Sequence, residues 1–509
     1  MAAVLAGGAL PPRRGHAQAL PAQPEPVPVA FGFEEVARLA ADLARADHVA
    51  PKATLEAPFK DLGYDAYRGI RFRREADPWA GIDGFGLDLL PPGMLFTDPV
   101  RVNLVDSGVV RPLPFDPSVF EYDDISFPPD AARLPPGDMG WSGFRLRSVL
   151  NRPGYLDELA VFQGASYFRV LGRDNRYGLS ARGLAIGTGS AEGEEFPGFR
   201  EFWIHTPDPA TGSVTVHALL DSPSVAGAFE FIITGGADTV LQTRAALIPR
   251  RELSDLGIAP LTSMFWFGPA DRGGFDDYRP AVHDSEGLQM LTGGGIRLWR
   301  ALGNPATLQI SAFADRDPRG FGLMQRSRRF EDFQDAEADY ELRPSGWITP
   351  RGNWGDGTVV LVEIPLDSEF HDNIVSYWTP AQPLAAGVRH DFAYDQHFGA
   401  ATGDDFPVAR VRRTQSGRSI NAADARTYMI DFDIGPFAGL PDPTPTVTAS
   451  EGEIEHPYVL RLPDQGLMRL AFEFRPKGAS LSELSARLDG GDGTDAPLSE
   501  TWLSRWTRD

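Results

Sequence analysis

An all-β fold is predicted, a large antiparallel sandwich followed by a small immunoglobulin-like one. Three observations predict it. Apolar residues alternate with polar ones over more than 300 residues, in runs such as 212–220 and 357–364 bounded by Gly, Pro or Asp. The 54 Gly and 44 Pro supply the turns that many short strands need. Only one long stretch carries a helical period.

The chain opens on a short apolar run, Ala2 to Leu10, followed by Arg13-Arg14 and by Ala17-Gln-Ala19, which resembles a signal-peptidase site. No basic residue precedes that run, so the signal-like segment departs from a complete export signal. Pro21 to Pro28 reads as an extended linker, and residues 1–30 are expected to stand apart from the fold. No apolar segment of 18 residues follows, so no membrane span is expected. Phe33 to Asp47 is the helical stretch. Val36, Leu39, Ala40 and Leu43 share a face, and Glu34 and Glu35 sit in the first turn, where the helix dipole favours them.

Residues 31–398 are then expected to form the large sandwich. A second, short helix is expected over Glu331 to Tyr340, where Phe333 and Ala336 share a face. Residues 399–416, rich in Gly, Asp and Arg, read as a linker. Short strands recur beyond it, at 427–433, 458–462 and 468–474, so 417–509 suits the smaller sandwich.

The net charge of −22, from 70 acidic and 48 basic residues, disfavours nucleic acid and anionic membranes as partners, since both require a basic face. Basic residues are almost all Arg, with Lys only at positions 52, 60 and 477. With no Cys, disulfides, thiolate metal sites and a Cys nucleophile are excluded. The nine His show no metal-ligand spacing, and no metal or cofactor is expected. Gly355 and Gly357 do not form a phosphate loop, because no Lys-Ser/Thr follows them. No nucleophile elbow or dinucleotide fingerprint is present either.

Between Gly164 and Ile204, rings, arginines and carboxylates lie at strand-like spacing. That mixture suits a groove for a hydroxyl-rich polymer, because rings stack on the apolar faces of sugars and charged forks bond their hydroxyls. Core strands rich in aromatics would read the same way. Two acids stand in turn-rich contexts on either side of large rings: Asp284 in Tyr278-Arg-Pro-Ala-Val-His-Asp-Ser and Asp372 in Phe370-His-Asp-Asn-Ile-Val-Ser-Tyr-Trp. From spacing alone, each reads first as a turn residue bonding its own backbone.

The phrases Gly164-Ala-Ser-Tyr-Phe-Arg-Val, Tyr177-Gly-Leu-Ser-Ala-Arg and Gly193-Glu-Glu-Phe-Pro-Gly-Phe-Arg-Glu-Phe-Trp-Ile resemble the periplasmic glucan biosynthesis (MdoG) family. So do Ala259-Pro-Leu-Thr-Ser-Met-Phe, His283-Asp-Ser, Gly320-Phe-Gly-Leu-Met-Gln-Arg, Asp339-Tyr-Glu-Leu-Arg-Pro, Asp372-Asn-Ile-Val-Ser-Tyr-Trp-Thr-Pro and Leu498-Ser-Glu-Thr-Trp. The matches run in the family's order over roughly residues 31 to 505.

This resemblance implies a mutarotase-like large domain before an immunoglobulin-like one, a periplasmic location and β-1,2-linked glucan as substrate. It implies Asp372 as general acid and Asp284 as general base of an inverting endo-β-1,2-glucanase, with Tyr340 holding the water or relaying its proton. Tyr167, Arg169, Arg182, Glu194, Phe202, Trp203, Trp266, Arg279, Arg326, Arg343, Tyr377 and Trp378 lie inside the matching phrases and are candidates for binding glucan. A transglycosylase that branches or cyclises the glucan, or a non-catalytic scaffold, would use the same fold. A functional link to a membrane glucan synthase is also implied, and a homodimer is left open.

Overall fold

A computed structural model describes residues 31–51, 55–123, 126–127, 139–400, 403, 407–437, 439–490 and 497–508. The signal-like segment and the Pro-rich linker lie outside the described residues. The architecture is an all-β sandwich in which two large sheets face each other. One sheet orders its strands as Phe85–Leu90, Gly143–Ser148, Asp157–Gln163, Tyr167–Val170, Ser180–Arg182, Leu256–Ser263, Ile374–Pro380, Asp356–Glu363 and Gln309–Arg316, with Leu184–Ile186 pairing beside Leu256–Ser263. We call it the site sheet. The opposing sheet has 14 strands and runs from Thr444–Ala449 at one edge to Val109–Leu113 at the other.

Alternation along each strand sends every second side chain into the space between the sheets. Phe144, Phe162 and Phe168 of the site sheet meet Phe202 and Phe231 of its partner there, at ring separations of 5.0 to 5.9 Å. Strand Ser213–Asp221 shows why its residues alternate only at first. Val214, Val216, Ala218 and Leu220 point into that core. Its outward Leu219 is also buried, because the amino-terminal helix Phe33–Ala44 lies across it. Val36 and Ala40 of the predicted helix face, together with Ala37, close this second layer over Trp203 and Ala228, while Leu39 and Leu43 of that face are only partly buried.

The carboxy-terminal strands Val411–Arg418, Arg426–Asp433, Leu467–Arg475 and Glu453–Leu462 form a separate four-stranded sheet. Val411–Arg418 therefore begins inside the segment expected to be a linker. Ile430, Phe432, Met468, Leu470 and Phe472 of that sheet pack against Leu484, Ala486 and Trp502. The last strand, Thr501–Thr507, runs parallel to Arg297–Ala301, so three carboxy-terminal strands extend the 14-stranded sheet. Arg326 reinforces this junction. Its guanidinium donates to both carboxylate oxygens of buried Glu500 at 2.8 Å and lies 3.7 Å from the Trp299 ring centroid.

The helix expected over 331–340 is shorter. Phe330–Phe333 forms one turn and stops at Gln334, whose φ of 57° is left-handed. The Asp335 carboxylate then accepts from the backbone N–H groups of Glu337 and Ala338, and Tyr340–Leu342 forms a separate 3₁₀ turn.

Candidate active site

Asp284 and Asp372 are 88 positions apart in the chain, yet one short segment holds both. Strand Leu256–Ser263 leaves the site sheet and continues through Met264 and Phe265. The Asp284 N–H donates to the Met264 carbonyl at 2.8 Å, and the Ser263 hydroxyl meets that of Ser285 at 2.8 Å. On the other side, the Asn373 N–H donates to the Ser263 carbonyl at 3.0 Å, while its side chain brackets the Phe265 backbone by accepting at 2.8 Å and donating at 3.0 Å. Buried Asn373 thus fixes Asp372 beside it, as buried Ser285 fixes Asp284.

Their environments differ. Asp284 is 5% exposed. Burial pushes its pKa up to about 6; the Arg343 guanidinium, 3.0 Å away, opposes that rise, and the Asp372 charge adds to it. Asp372 keeps a side chain 29% exposed, facing Arg169 at 4.0 Å. Crowding by protein raises its pKa too, against the pull of Arg169, Arg182 and Arg343. Both acids therefore share one electrostatic neighbourhood, with Arg343 and Arg169 common to the two.

The outer face of the site sheet forms the floor. Register places Asp88, Arg145, Val161 and Arg169 side by side across four strands, and Tyr167 beside Arg182. The Arg182 guanidinium lies 4.6 Å from the Tyr167 ring centroid, donates to Thr262 at 2.9 Å and reaches Glu194 at 2.5 Å. Tyr377 stands near Glu194 and Arg182 on the same face; burial pushes its hydroxyl up to about 12. Tyr340 is buried, with Arg343 4.8 Å from its ring centroid. Its hydroxyl donates to Glu369 Oε2 at 2.9 Å, and burial raises its pKa.

Several expected binding residues are not brought to this groove. Trp203 is buried under the amino-terminal helix and lies 5.1 Å from the Phe31 ring. Phe202 and Trp378 point into the core between the sheets. Adjacent residues of a strand face opposite sides, so Tyr377 and Trp378 could not both line the floor. Arg326 is committed to Glu500 at the junction. Trp266 is half-buried against Phe267 and Phe275, in the small core that also holds Tyr340. Arg279 sits close to the acids but is 8% exposed and engaged with carboxylates: Asp277, Asp335 at 2.8 Å and Glu369 at 2.7 Å. It ties three loops together.

Sequence reasoning missed Glu369. Its Oε2 accepts from both Tyr340 and Arg279, which fixes the loop that carries Asp372 three residues later. Phe370 and Tyr278 on the loops it joins are 82% and 76% exposed, an uncommon state for large rings beside a groove. Arg145 was also missed; only the register with Asp88 and Val161 places it on the floor. Among the described residues, no cluster of His, Asp or Glu could hold a metal ion.

The profile of the periplasmic glucan biosynthesis protein family, MdoG, matches residues 31–506. The chain belongs to this family. A relative named glucans biosynthesis protein G from Vibrio cholerae is 46% identical over 481 residues, covering 94% of this chain and 87% of the relative. Proteins of the same name from Shewanella frigidimarina and Shewanella baltica are each 45% identical, covering 94% of this chain and 85% and 88% of the relatives. The MdoG match includes every strand of the site sheet and both rim acids. No helix among the described residues is long and apolar enough to cross a membrane.

Proposed function

We propose that this chain acts in periplasmic glucan biosynthesis as an inverting endo-glucanase on β-1,2-linked glucan, with Asp372 as general acid and Asp284 as general base. The observation that carries the reading is the Ser263–Phe265 segment, which presents both carboxyls at one rim above a floor of rings and arginine forks. Inverting hydrolysis needs one protonated carboxyl at the leaving oxygen and one ionised carboxyl to activate water on the opposite side of the sugar. Asp372 is the more exposed of the two, so a glycan laid over it removes its remaining water and raises its pKa further, toward the protonated acid. Asp284 has the Arg343 cation at 3.0 Å and, with its pKa raised only to about 6, stays mostly ionised at neutral pH. Tyr340 directs its proton to Glu369, leaving its hydroxyl oxygen to accept from the attacking water.

The products of linear β-1,2-glucan test the reading. Mass spectrometry is expected to show shortened chains, each cleavage adding one water. Products lighter by one water would mean cyclisation, and an untouched substrate would return the groove to a binding role.

Burial of Asp284 sets the pH dependence and Arg343 moderates it. The base must be ionised, so turnover falls as pH drops through the Asp284 pKa, near 6. Arg343→Gln removes the cation that opposes the rise, and the acid limb of kcat/KM is expected to move to higher pH. A limb left in place would separate Arg343 from the base.

A further inference from the structure

Among the described residues, Phe370 and Tyr278 are the most exposed of the Phe, Tyr and Trp side chains. Phe370 precedes Asp372 by two positions. Tyr278 lies on a neighbouring loop, joined to the Phe370 loop by the Arg279–Glu369 ion pair at 2.7 Å. Packing does not explain either ring, since most of each side chain remains in water.

The backbone that carries these rings is nevertheless clamped. Arg272 donates to the Asp277 carbonyl at 2.9 Å, the Arg279 carbonyl at 2.8 Å and the Pro280 carbonyl at 2.9 Å, and so grips the chain on both sides of Tyr278. The Asp277 carboxylate also accepts from the Arg279 N–H at 2.8 Å. On the other loop, Glu369 accepts from Arg279 and from the Tyr340 hydroxyl at 2.9 Å. Asn373 closes that loop, accepting from the Ile364 N–H at 2.9 Å and donating to the Ile364 carbonyl at 3.0 Å. Phe370 therefore stands in a short span anchored at both ends. Only the two side-chain torsions of each ring are left to order when a ligand arrives, which keeps the entropic cost of stacking low.

We propose that Phe370 and Tyr278 form a stacking platform for glucose units of the glucan next to the bond that is cleaved. The inference rests on the glucan reading of the groove and names two residues that recognise the substrate there. A pyranose presents C–H groups on its faces, and these cover an aromatic ring while the hydroxyls around the sugar's edge stay hydrated. The Phe370 side chain has no polar atom, so its contribution is apolar contact alone. Tyr278 adds a hydroxyl that can bond a sugar hydroxyl as donor or acceptor.

Calorimetric titration of Asp372→Asn protein, which consumes its ligand slowly, with linear β-1,2-glucan tests the inference. Adding Phe370→Ala or Tyr278→Ala to that variant is expected to weaken binding about fivefold each, with Tm unchanged because both rings are exposed. Phe370→Tyr in place of Phe370→Ala is expected to restore the affinity. With Asp372 intact, each alanine variant should show a raised KM and an unchanged kcat, because a stacked neighbour holds ground state and transition state alike. If Asp372→Asn protein binds the glucan and the alanine variants bind it equally well, or if Phe370→Tyr binds as weakly as Phe370→Ala, this inference is overturned while the glucan reading stands. A loss of kcat at unchanged KM would also overturn it, by showing that the rings act on the position of the acid. If neither Asp372→Asn nor wild-type protein binds β-1,2-glucan, the reading and the inference fall together.

Discussion

Asp372→Asn is expected to keep glucan binding and lose turnover by about 10²–10⁴-fold, the usual worth of general-acid assistance. The substitution preserves the shape of the side chain and removes only its titratable proton. Nothing in the fold depends on that proton: Asp372 faces Arg169 at 4.0 Å, and its loop is held by Asn373 and Glu369 instead. Binding measured by calorimetry and turnover measured by reducing ends should therefore separate. Near-normal turnover would remove Asp372 from the acid's role, while loss of binding would make its carboxylate a structural group.

Asp284→Asn is expected to abolish turnover comparably and to stabilise the protein. A carboxyl displaced from 3.8 to about 6 costs the native state about 3 kcal/mol when ionised. The sign follows from the raised folded pKa: relative stability from this group is full at low pH, where the carboxyl is protonated in both states, and is lost as pH rises through about 6. Asn is neutral at every pH and escapes that cost, although Arg343 then loses its 3.0 Å partner, which offsets part of the gain. The Tm advantage over the parent should appear at pH 7 and shrink toward pH 4. A variant destabilised at both pH values would mean that the Arg343 pair holds the loop together and that burial strain is not its dominant effect.

Helix Phe33–Ala44 and strands such as Ser213–Asp221 and Asp356–Glu363 were legible because one period dominates each of them. The one-turn helix at 330–333 was not, since the left-handed Gln334 and the bonds of Asp335 outweigh two apolar residues on one face. Asp284, Asp372 and Tyr340 were singled out through family phrases; spacing could not choose two acids among 70. Trp203 and Trp378 shared those phrases for packing reasons, and strict alternation with Phe202 and Tyr377 already limited each pair to one face per residue. Arg279 and Glu369 exchanged standing. The arginine looked like a sugar ligand but is engaged by carboxylates, and the glutamate acts through contacts 29 and 90 positions away. Such a hub leaves no local pattern to read.

Proton NMR of the first reducing ends released from linear β-1,2-glucan tests the central claim most directly. Water entering opposite the leaving oxygen, between Asp284 and the anomeric carbon, predicts that the α-anomer appears first and the β-anomer only later, by mutarotation. Initial release of the β-anomer would require a covalent intermediate on a nearby carboxylate and would contradict the assignment of Asp372 and Asp284 as acid and base of a single displacement.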